Sequence, residues 1–168
     1  MILINKINNL SQSKFIEIFA NIFEKTKWIA EKLYDQKPFN GFDDLCSKML
    51  DIFEYTTKEN QLLILKVHPD LADKITVNLL TSNSRTEQSN AGLDQCSEEE
   101  FNEFKNLNKS YRQKYGFPFV IAVKGKNKIE ILSEFRKRIL NSVDKEFNEA
   151  IIQIGKIANL RLNEINIK

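Results

Sequence analysis

The sequence predicts an all-α fold, and three observations carry this prediction. Glycine and proline are scarce, at 5 and 3 in 168 residues, whereas turn-rich β folds need many of both. Apolar side chains recur mostly at intervals of three, four and seven residues, the spacing of one face of an α-helix. Residues 117–123 (Phe-Pro-Phe-Val-Ile-Ala-Val) are the one apolar run without that spacing. We therefore expect a single domain over residues 1–168, a bundle of about eight helices with a buried extended segment at about 117–123.

The first half of the chain should contain four of these helices. A long amphipathic helix follows Ser13 and ends at the break over residues 35–41, which contains Pro38. Its inward side chains share the helical spacing: Phe15, Phe19, Ile22, Ile29 and Leu33. The next three helices are expected at residues 43–55, at residues 57–66 with Thr57 as the cap, and at residues 70–80.

Capping residues delimit the helices of the second half. Residues 81–84 have the composition of a loop. Two pairs then have the spacing of a capping box, Ser84 with Glu87 and Ser97 with Glu100. The expected helices run from Ser84 to Gly92, from Ser97 to Gly116, onward from Asn127, and from Asp144 towards the C-terminus.

Composition and charge exclude several classes of function. The net charge is +2 and the basic residues are spread along the chain, which disfavours a nucleic-acid-binding protein. No apolar run reaches the 18 residues that a membrane span needs, and residues 1–6 are too short and too polar for a signal peptide. Cys46 and Cys96 lie far apart in no motif, so we expect free thiols in a reducing compartment, the cytoplasm.

His68 is the first of three residues that do not fit an ordinary core. It is the only histidine in the chain, and histidine is the side chain that exchanges protons near neutral pH. It precedes Pro69, at which a helix must end. A helix-end histidine whose charge suits the helix dipole is the interpretation that the pattern alone favours. A catalytic acid or base is the alternative.

Arg161 is the second such residue, because it shares a stripe with apolar side chains of the last helix. The stripe is spaced by four, three, four, three and four residues: Phe147, Ile151, Ile154, Ala158, Arg161 and Ile165. A buried guanidinium costs several kcal/mol unless it is paired with an anion, which can be a protein carboxylate or a ligand. Snorkelling to the surface is an equally good interpretation.

Glu87 is the third, and its capping box with Ser84 explains it completely in structural terms. In the functional alternative, its carboxylate faces a ligand hydroxyl from the start of a helix. Other site types are excluded: one histidine and two scattered cysteines cannot form a usual zinc site, and the sequence has neither a Gly-rich phosphate loop nor a nucleophile motif.

Several segments, taken in order, closely resemble the OHCU decarboxylase family. They are His-Pro-Asp-Leu-Ala at 68–72, Thr-Glu-Gln-Ser-Asn-Ala-Gly-Leu-Asp at 86–94, Asn-Lys-Ser-Tyr at 108–111 and Tyr-Gly-Phe-Pro-Phe-Val-Ile at 115–121. Weaker likenesses at residues 28–30, 38–39 and 157–162 extend the resemblance over nearly the whole chain. Within it, residues 72–84 are about one residue shorter than expected, and Asn83 stands where an acidic residue is common.

The resemblance implies a cofactor-independent decarboxylase of 2-oxo-4-hydroxy-4-carboxy-5-ureidoimidazoline (OHCU) that forms (S)-allantoin in urate degradation. It also implies an all-helical fold, a homodimer, and no metal or organic cofactor. It assigns His68 as the catalytic acid or base, with Glu87 and Arg161 as its polar partners. The substrate-lining residues that it implies are Pro69, Ser84, Arg85, Thr86, Gln88, Phe119, Val120, Ile121, Ala122 and Val123.

The chemistry of such a substrate suits these residues. Loss of CO2 leaves an electron pair that the ring can delocalise, and a proton must then arrive from one face only. An arginine fork can hold an anionic or carbonyl group, and a histidine can supply the proton. Two alternatives stay open: a non-catalytic helical module that binds a ureide or a partner, and a decarboxylase of a related heterocyclic acid.

Overall fold

The computed structural model describes residues 4–73 and 80–167. These residues form nine α-helices and no strand, so the all-α prediction is confirmed. The helices are α1 (Ile4–Asn8), α2 (Gln12–Phe19), α3 (Lys27–Tyr34), α4 (Phe42–Glu54), α5 (Lys58–Lys66), α6 (Ser82–Asn90), α7 (Glu98–Tyr115), α8 (Lys128–Arg138) and α9 (Val143–Ile167). A short 3-10 helix, Leu93–Gln95, lies between α6 and α7.

The chain divides into two compact units, each with its own apolar core, and the boundaries lie within α5 and α9. Unit 1 comprises Met1–Ile64 and Gly155–Lys168, and unit 2 comprises Leu65–Ile154. The core of unit 1 includes the stacked rings of Phe15 and Phe39, whose centroids are 5.9 Å apart. In unit 2, Phe119 and Phe135 stack with centroids 3.8 Å apart.

The extended segment between α7 and α8 is present as predicted. Residues 117–123 are neither helix nor strand, and all of them except the half-buried Ala122 are buried. Gly116 ends α7 in the left-handed conformation, with φ +77°, which glycine adopts without steric cost. The segment therefore enters the core directly from a helix end.

The predicted long helix after Ser13 is wrong, because the chain forms two helices there. Residues 20–26 separate α2 from α3, and Lys25 adopts a left-handed φ of +48° that no α-helix contains. Ile22 and Phe23 are buried within this connection. The apolar spacing therefore continues across the break although the helix does not.

The predicted helix caps have mixed outcomes. Thr57 does cap α5, since its hydroxyl accepts the Asn60 N–H at 3.2 Å. The capping boxes of α7 and α8 are complete, Ser97 with Glu100 and Asn127 with Glu130. The last helix begins at Val143 rather than at Asp144.

The region from residue 70 to residue 92 departs most from the prediction. Residues 70–73 are not helical, and the rest of the helix predicted at 70–80 lies largely outside the described residues. Residues 81–84 are not a loop: Thr81 is the N-cap of α6, and its hydroxyl accepts the Ser84 N–H at 3.3 Å. The capping box predicted for Ser84 and Glu87 is therefore wrong, because the helix begins one turn earlier and leaves the Glu87 carboxylate in its middle.

Candidate active site

His68 lies directly after α5, where the chain leaves the helix. The helix ends at Lys66, and the His68 backbone N–H donates to the Leu65 carbonyl at 3.2 Å. The residue is only 7 % exposed, and the ring of Pro69 fixes the next backbone φ. This burial argues against a surface histidine that serves only the helix dipole.

Side chains from two other helices hold the loop that follows His68 and Pro69. The Gln88 side chain of α6 donates to the Asp70 carbonyl at 3.2 Å and accepts the Ala72 N–H at 3.0 Å. The Asn108 side chain of α7 donates to the Leu71 carbonyl at 3.0 Å. These bonds take the place of a helix or strand ladder, so the loop has a defined path although it has no regular structure.

Helix α6 divides its predicted site residues between two faces. Ser84, Glu87 and Gln88 are spaced by three and four residues and therefore share a face. Ser84 and Gln88 are buried and Glu87 is half-buried. Arg85 and Thr86 are exposed. The structure thus brings the first three together on the inner face and leaves the last two at the surface.

Side chains of α8 and α9 hold the extended segment 117–123 through hydrogen bonds to its backbone. Arg138 Nη1 donates to the Val120 carbonyl at 2.8 Å. The Ala122 N–H donates to Gln153 Oε1 at 3.0 Å. A buried segment without a helical ladder must find other partners for its backbone groups, and α8 and α9 supply them here.

A buried polar network that no sequence pattern indicated contacts this segment through Arg138. Arg138 pairs with Glu146 at 2.6 Å, and Glu146 also accepts hydrogen bonds from Tyr111 and Asn141. Arg138 additionally stacks on the Phe119 ring, 4.4 Å from its centroid. Burial, together with the hydrogen bond to Glu146, raises the pKa of the Tyr111 hydroxyl far above its usual value.

Arg161 is buried in unit 1 and does not snorkel to the surface. It is 4 % exposed, and its Nη1 lies 3.3 Å from Glu24 Oε2, a carboxylate whose side chain is 1 % exposed. The same nitrogen donates to the carbonyls of Asn21 and Ile22. Glu24 therefore supplies this guanidinium with a protein carboxylate, a partner that no sequence pattern indicated.

The three residues predicted to be catalytic belong to different units. His68 and Glu87 lie in unit 2, as do all ten predicted substrate-lining residues. Arg161 lies in unit 1 with Glu24. Within unit 2, Gln88 is the link that joins the His68 loop to the face of α6 that carries Glu87.

We also searched the described residues for a cleft, a metal site and a membrane-spanning helix. A cleft of about 430 Å³ lies along α7 and the loop at 70–73, and none of the predicted site residues lines it. No three His, Cys, Asp or Glu side chains cluster in a way that could hold a metal ion, within residues 4–73 and 80–167. In the same part of the chain, no helix combines the length and the apolar character needed to cross a membrane.

Comparison with known proteins gives consistent matches. The sequence profile of the OHCU decarboxylase family matches residues 8–163. The 2-oxo-4-hydroxy-4-carboxy-5-ureidoimidazoline decarboxylase of Haloferax volcanii is 36 % identical over 161 residues, which are 96 % of this chain and 94 % of the relative. The Mus musculus protein of the same name is 32 % identical over 161 residues, covering 95 % of this chain and 90 % of the relative.

A longer relative and two solved structures extend the comparison. The uric acid degradation bifunctional protein of Bacillus sp. (strain TB-90) is 37 % identical over 165 residues, and this chain spans only 32 % of its length. A crystal structure of (S)-allantoin synthase superposes with a TM-score of 0.78 at 24 % identity, over 98 % of this chain and 53 % of that one. A crystal structure of OHCU decarboxylase in the presence of (S)-allantoin gives 0.67 at 20 % identity, over 84 % and 92 %.

Proposed function

This chain belongs to the OHCU decarboxylase family, as the sequence predicted, and on that premise we propose that it converts OHCU to (S)-allantoin in urate degradation. The names of relatives that match over nearly their whole length support the activity. The observation on this chain that carries the proposal is the single histidine, buried at 7 % exposure in a loop that two neighbouring helices hold by hydrogen bonds.

His68 is the acid or base of this proposal. In the reaction, the bond to the carboxylate breaks and CO2 leaves. The electron pair moves into the conjugated ring, and a proton is added from one face to give the S product. The ring itself delocalises the charge, so the proposed reaction uses no cofactor. A positioned imidazole that transfers this proton accelerates such a step by about 10²–10⁴-fold.

Glu87 and Arg161 bind the polar groups of the substrate in the same proposal. Glu87 lies in the middle of α6, so its carboxylate is not used as a helix cap, and it accepts a hydrogen bond from the hydroxyl or the ureido nitrogens. Arg161 is a buried cation that Glu24 holds in place, and a guanidinium suits an anionic or carbonyl group.

The contacts of the substrate-lining residues refine their proposed roles. Both polar atoms of Gln88 are bonded to the 70–72 backbone, so we give it a share in holding the His68 loop. In the extended segment, Val120 and Ala122 each have a backbone group bonded to a side chain. We propose that the backbone groups of Phe119 and Ile121 meet the ring of the substrate.

Circular dichroism on freshly generated OHCU tests the activity and the role of His68 together. Wild type should accelerate the formation of (S)-allantoin, and His68→Ala should lose about 10²–10⁴-fold of that acceleration while keeping its thermal unfolding midpoint. Lys66→Ala, an exposed change two residues earlier, is the matched control and should stay active. An inactive wild type would favour a non-catalytic ureide-binding module, and a fully active His68→Ala would contradict the mechanism.

The oligomer and the compartment are part of the same proposal. We expect a homodimer, which light scattering on the purified chain tests directly. We also expect the cytoplasm, because neither Cys46 nor Cys96 forms a disulfide bond among the described residues. Burial, with the nearby Asp43 carboxylate, raises the pKa of Cys46 to about 11, so this thiol stays protonated and slow to oxidise at neutral pH.

A further inference from the structure

We propose that Asn108 of α7 is a positioning residue for His68, acting through the loop between them. This inference rests on the proposed role of His68 and adds a residue to which neither the sequence analysis nor the proposed mechanism gives a part. Asn108 touches neither the imidazole nor the predicted substrate-lining residues through any hydrogen bond of the described chain. Its described side-chain bond goes to the Leu71 carbonyl, three residues beyond His68, at 3.0 Å.

Every residue of the loop from 69 to 72 is restrained, either by its own backbone ring or by a side chain of α6 or α7. The pyrrolidine ring restrains Pro69. Asp70 is bonded to Gln88 and also pairs with Arg112 Nε at 2.9 Å. Ala72 is bonded to Gln88 and holds a left-handed φ of +53°, a conformation that residues other than glycine rarely adopt. Leu71, whose own side chain is buried, receives at its carbonyl the hydrogen bond that Asn108 donates, so this amide fixes the peptide between the two residues that Gln88 holds.

Asn108 is poorly explained as a residue that only stabilises the fold. It is 6 % exposed, and its Oδ1 is buried without a hydrogen-bond partner in the part of the chain that is described. Burial of an unpaired acceptor costs free energy that a leucine of similar size would avoid. An amide at this position therefore serves the bond to Leu71 and not the packing of α7.

Helix α7 is a suitable rigid support for the loop that follows His68. It runs for 18 residues between a complete capping box at Ser97 and a left-handed Gly116. Asn108 and Arg112 lie one turn apart on it and reach consecutive loop residues, Leu71 and Asp70. Two successive residues of the loop are therefore fixed to a rigid helix. This fixation also restrains His68, which directly precedes the loop.

The test uses Asn108→Leu with Asn8→Leu as the matched control. Asn8 holds another loop in the same way, with its side chain bonded to both the carbonyl and the N–H of Phe39 at 2.8 Å. Asn108→Leu removes the unpaired Oδ1 along with one bond and leaves the Leu71 carbonyl without its donor, so it should lower the unfolding midpoint less than Asn8→Leu does, while lowering kcat about 10–100-fold with KM within about twofold. Asn8→Leu should show the opposite pattern, a midpoint lowered by about 2–4 °C and an unchanged kcat.

A second readout does not depend on activity. The chain has one histidine, so an untagged protein labelled with ¹³C at the histidine Cε1 gives one imidazole signal by nuclear magnetic resonance. In Asn108→Leu, the titration midpoint of that signal should move from its wild-type value or the signal should broaden, whereas Asn8→Leu should leave it unchanged. If Asn108→Leu does not fold, Asn108→Ser carries the same expectation.

The two readouts separate failure of this inference from failure of the proposed function. An Asn108 variant with wild-type kcat and a wild-type imidazole titration would overturn the positioning role, whatever the activity of the protein. A wild type without decarboxylase activity would overturn the proposed function, and the imidazole signal alone would then decide whether Asn108 positions His68.

Discussion

Two buried arginines, one in each compact unit, are bound in different ways. Arg138 contacts one oxygen of Glu146 through two nitrogens, Nε at 2.9 Å and Nη2 at 2.6 Å, and Tyr111 and Asn141 donate to the same carboxylate. Arg161 contacts Glu24 through Nη1 at 3.3 Å, and this nitrogen also donates to two backbone carbonyls. Both side chains are nearly inaccessible to water.

The difference teaches that burial of a charged side chain does not identify its role. Four donors surround the Glu146 carboxylate. Glu146 thereby fixes Arg138, which in turn bonds the backbone of the extended segment, so the pair has a structural role. The longer contact between Arg161 and Glu24 keeps a guanidinium buried with a weaker hydrogen bond to its partner. We therefore expect the first pair to govern stability and the second to govern activity.

Arg138→Met should have the largest effect on the free energy of unfolding. It removes the cation beside a Glu146 carboxylate that is 0 % exposed, and breaking a buried pair in this way costs about 3–5 kcal/mol. Urea denaturation measures the loss. Arg136→Met is the control, because Arg136 makes a two-nitrogen contact with Glu103 on the exposed side of the same helix. Equal losses for the two variants would remove the distinction between a buried and an exposed pair.

Arg161→Lys should reduce activity rather than stability. Lysine keeps the positive charge beside Glu24 but replaces the planar fork by a point charge. We expect kcat/KM for (S)-allantoin formation to fall about 10²-fold, which corresponds to about 2.7 kcal/mol of transition-state stabilisation. Arg138→Lys, assayed under conditions in which it stays folded, should keep most of its activity. The reverse pattern would show that the two arginines have been assigned the wrong way round.

Tyr111→Phe should have the smallest effect, because it removes only one of the donors to Glu146. We expect a loss of about 1.5 kcal/mol at pH 7. The pKa of Tyr111 is raised in the folded protein, so above about pH 10 the unfolded chain gives up this proton while the folded chain keeps it. Wild type then loses stability by about 1.4 kcal/mol per pH unit from this group, and the phenylalanine variant does not. A constant difference between the two from pH 8 to pH 11 would contradict the raised pKa.

Much of the fold followed from local signals in the sequence. The capping box at Ser97, the cap at Asn127, the end of α7 at Gly116 and the buried extended segment each depend on a few neighbouring residues. The break between α2 and α3 did not follow, because the apolar spacing continues through residues 20–26, where Lys25 adopts a left-handed φ that no sequence signal marks. Spacing alone records which side chains are buried and not whether the backbone between them is helical.

Some residues of the candidate site also carried a local signal in the sequence, and others did not. The place of Arg161 on an apolar stripe left burial and snorkelling as equal interpretations, and Arg138 carried the same signal, since it follows the buried Ile131 and Phe135 at helical spacing. Its partner Glu146 and the loop-holding Asn108 could not be found, because their contacts join residues 8 and 37 positions apart along the chain. Pairing across a fold depends on tertiary packing, which a single sequence does not state.

The two ion pairs also differ in the time that separates the synthesis of their two residues on the ribosome. Arg138 and Glu146 are 8 residues apart, whereas Glu24 and Arg161 are 137 residues apart. At about 5–20 residues per second, Arg161 is added roughly 7–27 s after Glu24. The nascent first unit therefore spends that interval without the last helix that supplies its buried cation, and this is the stage of synthesis at which we expect the chain to depend most on chaperones.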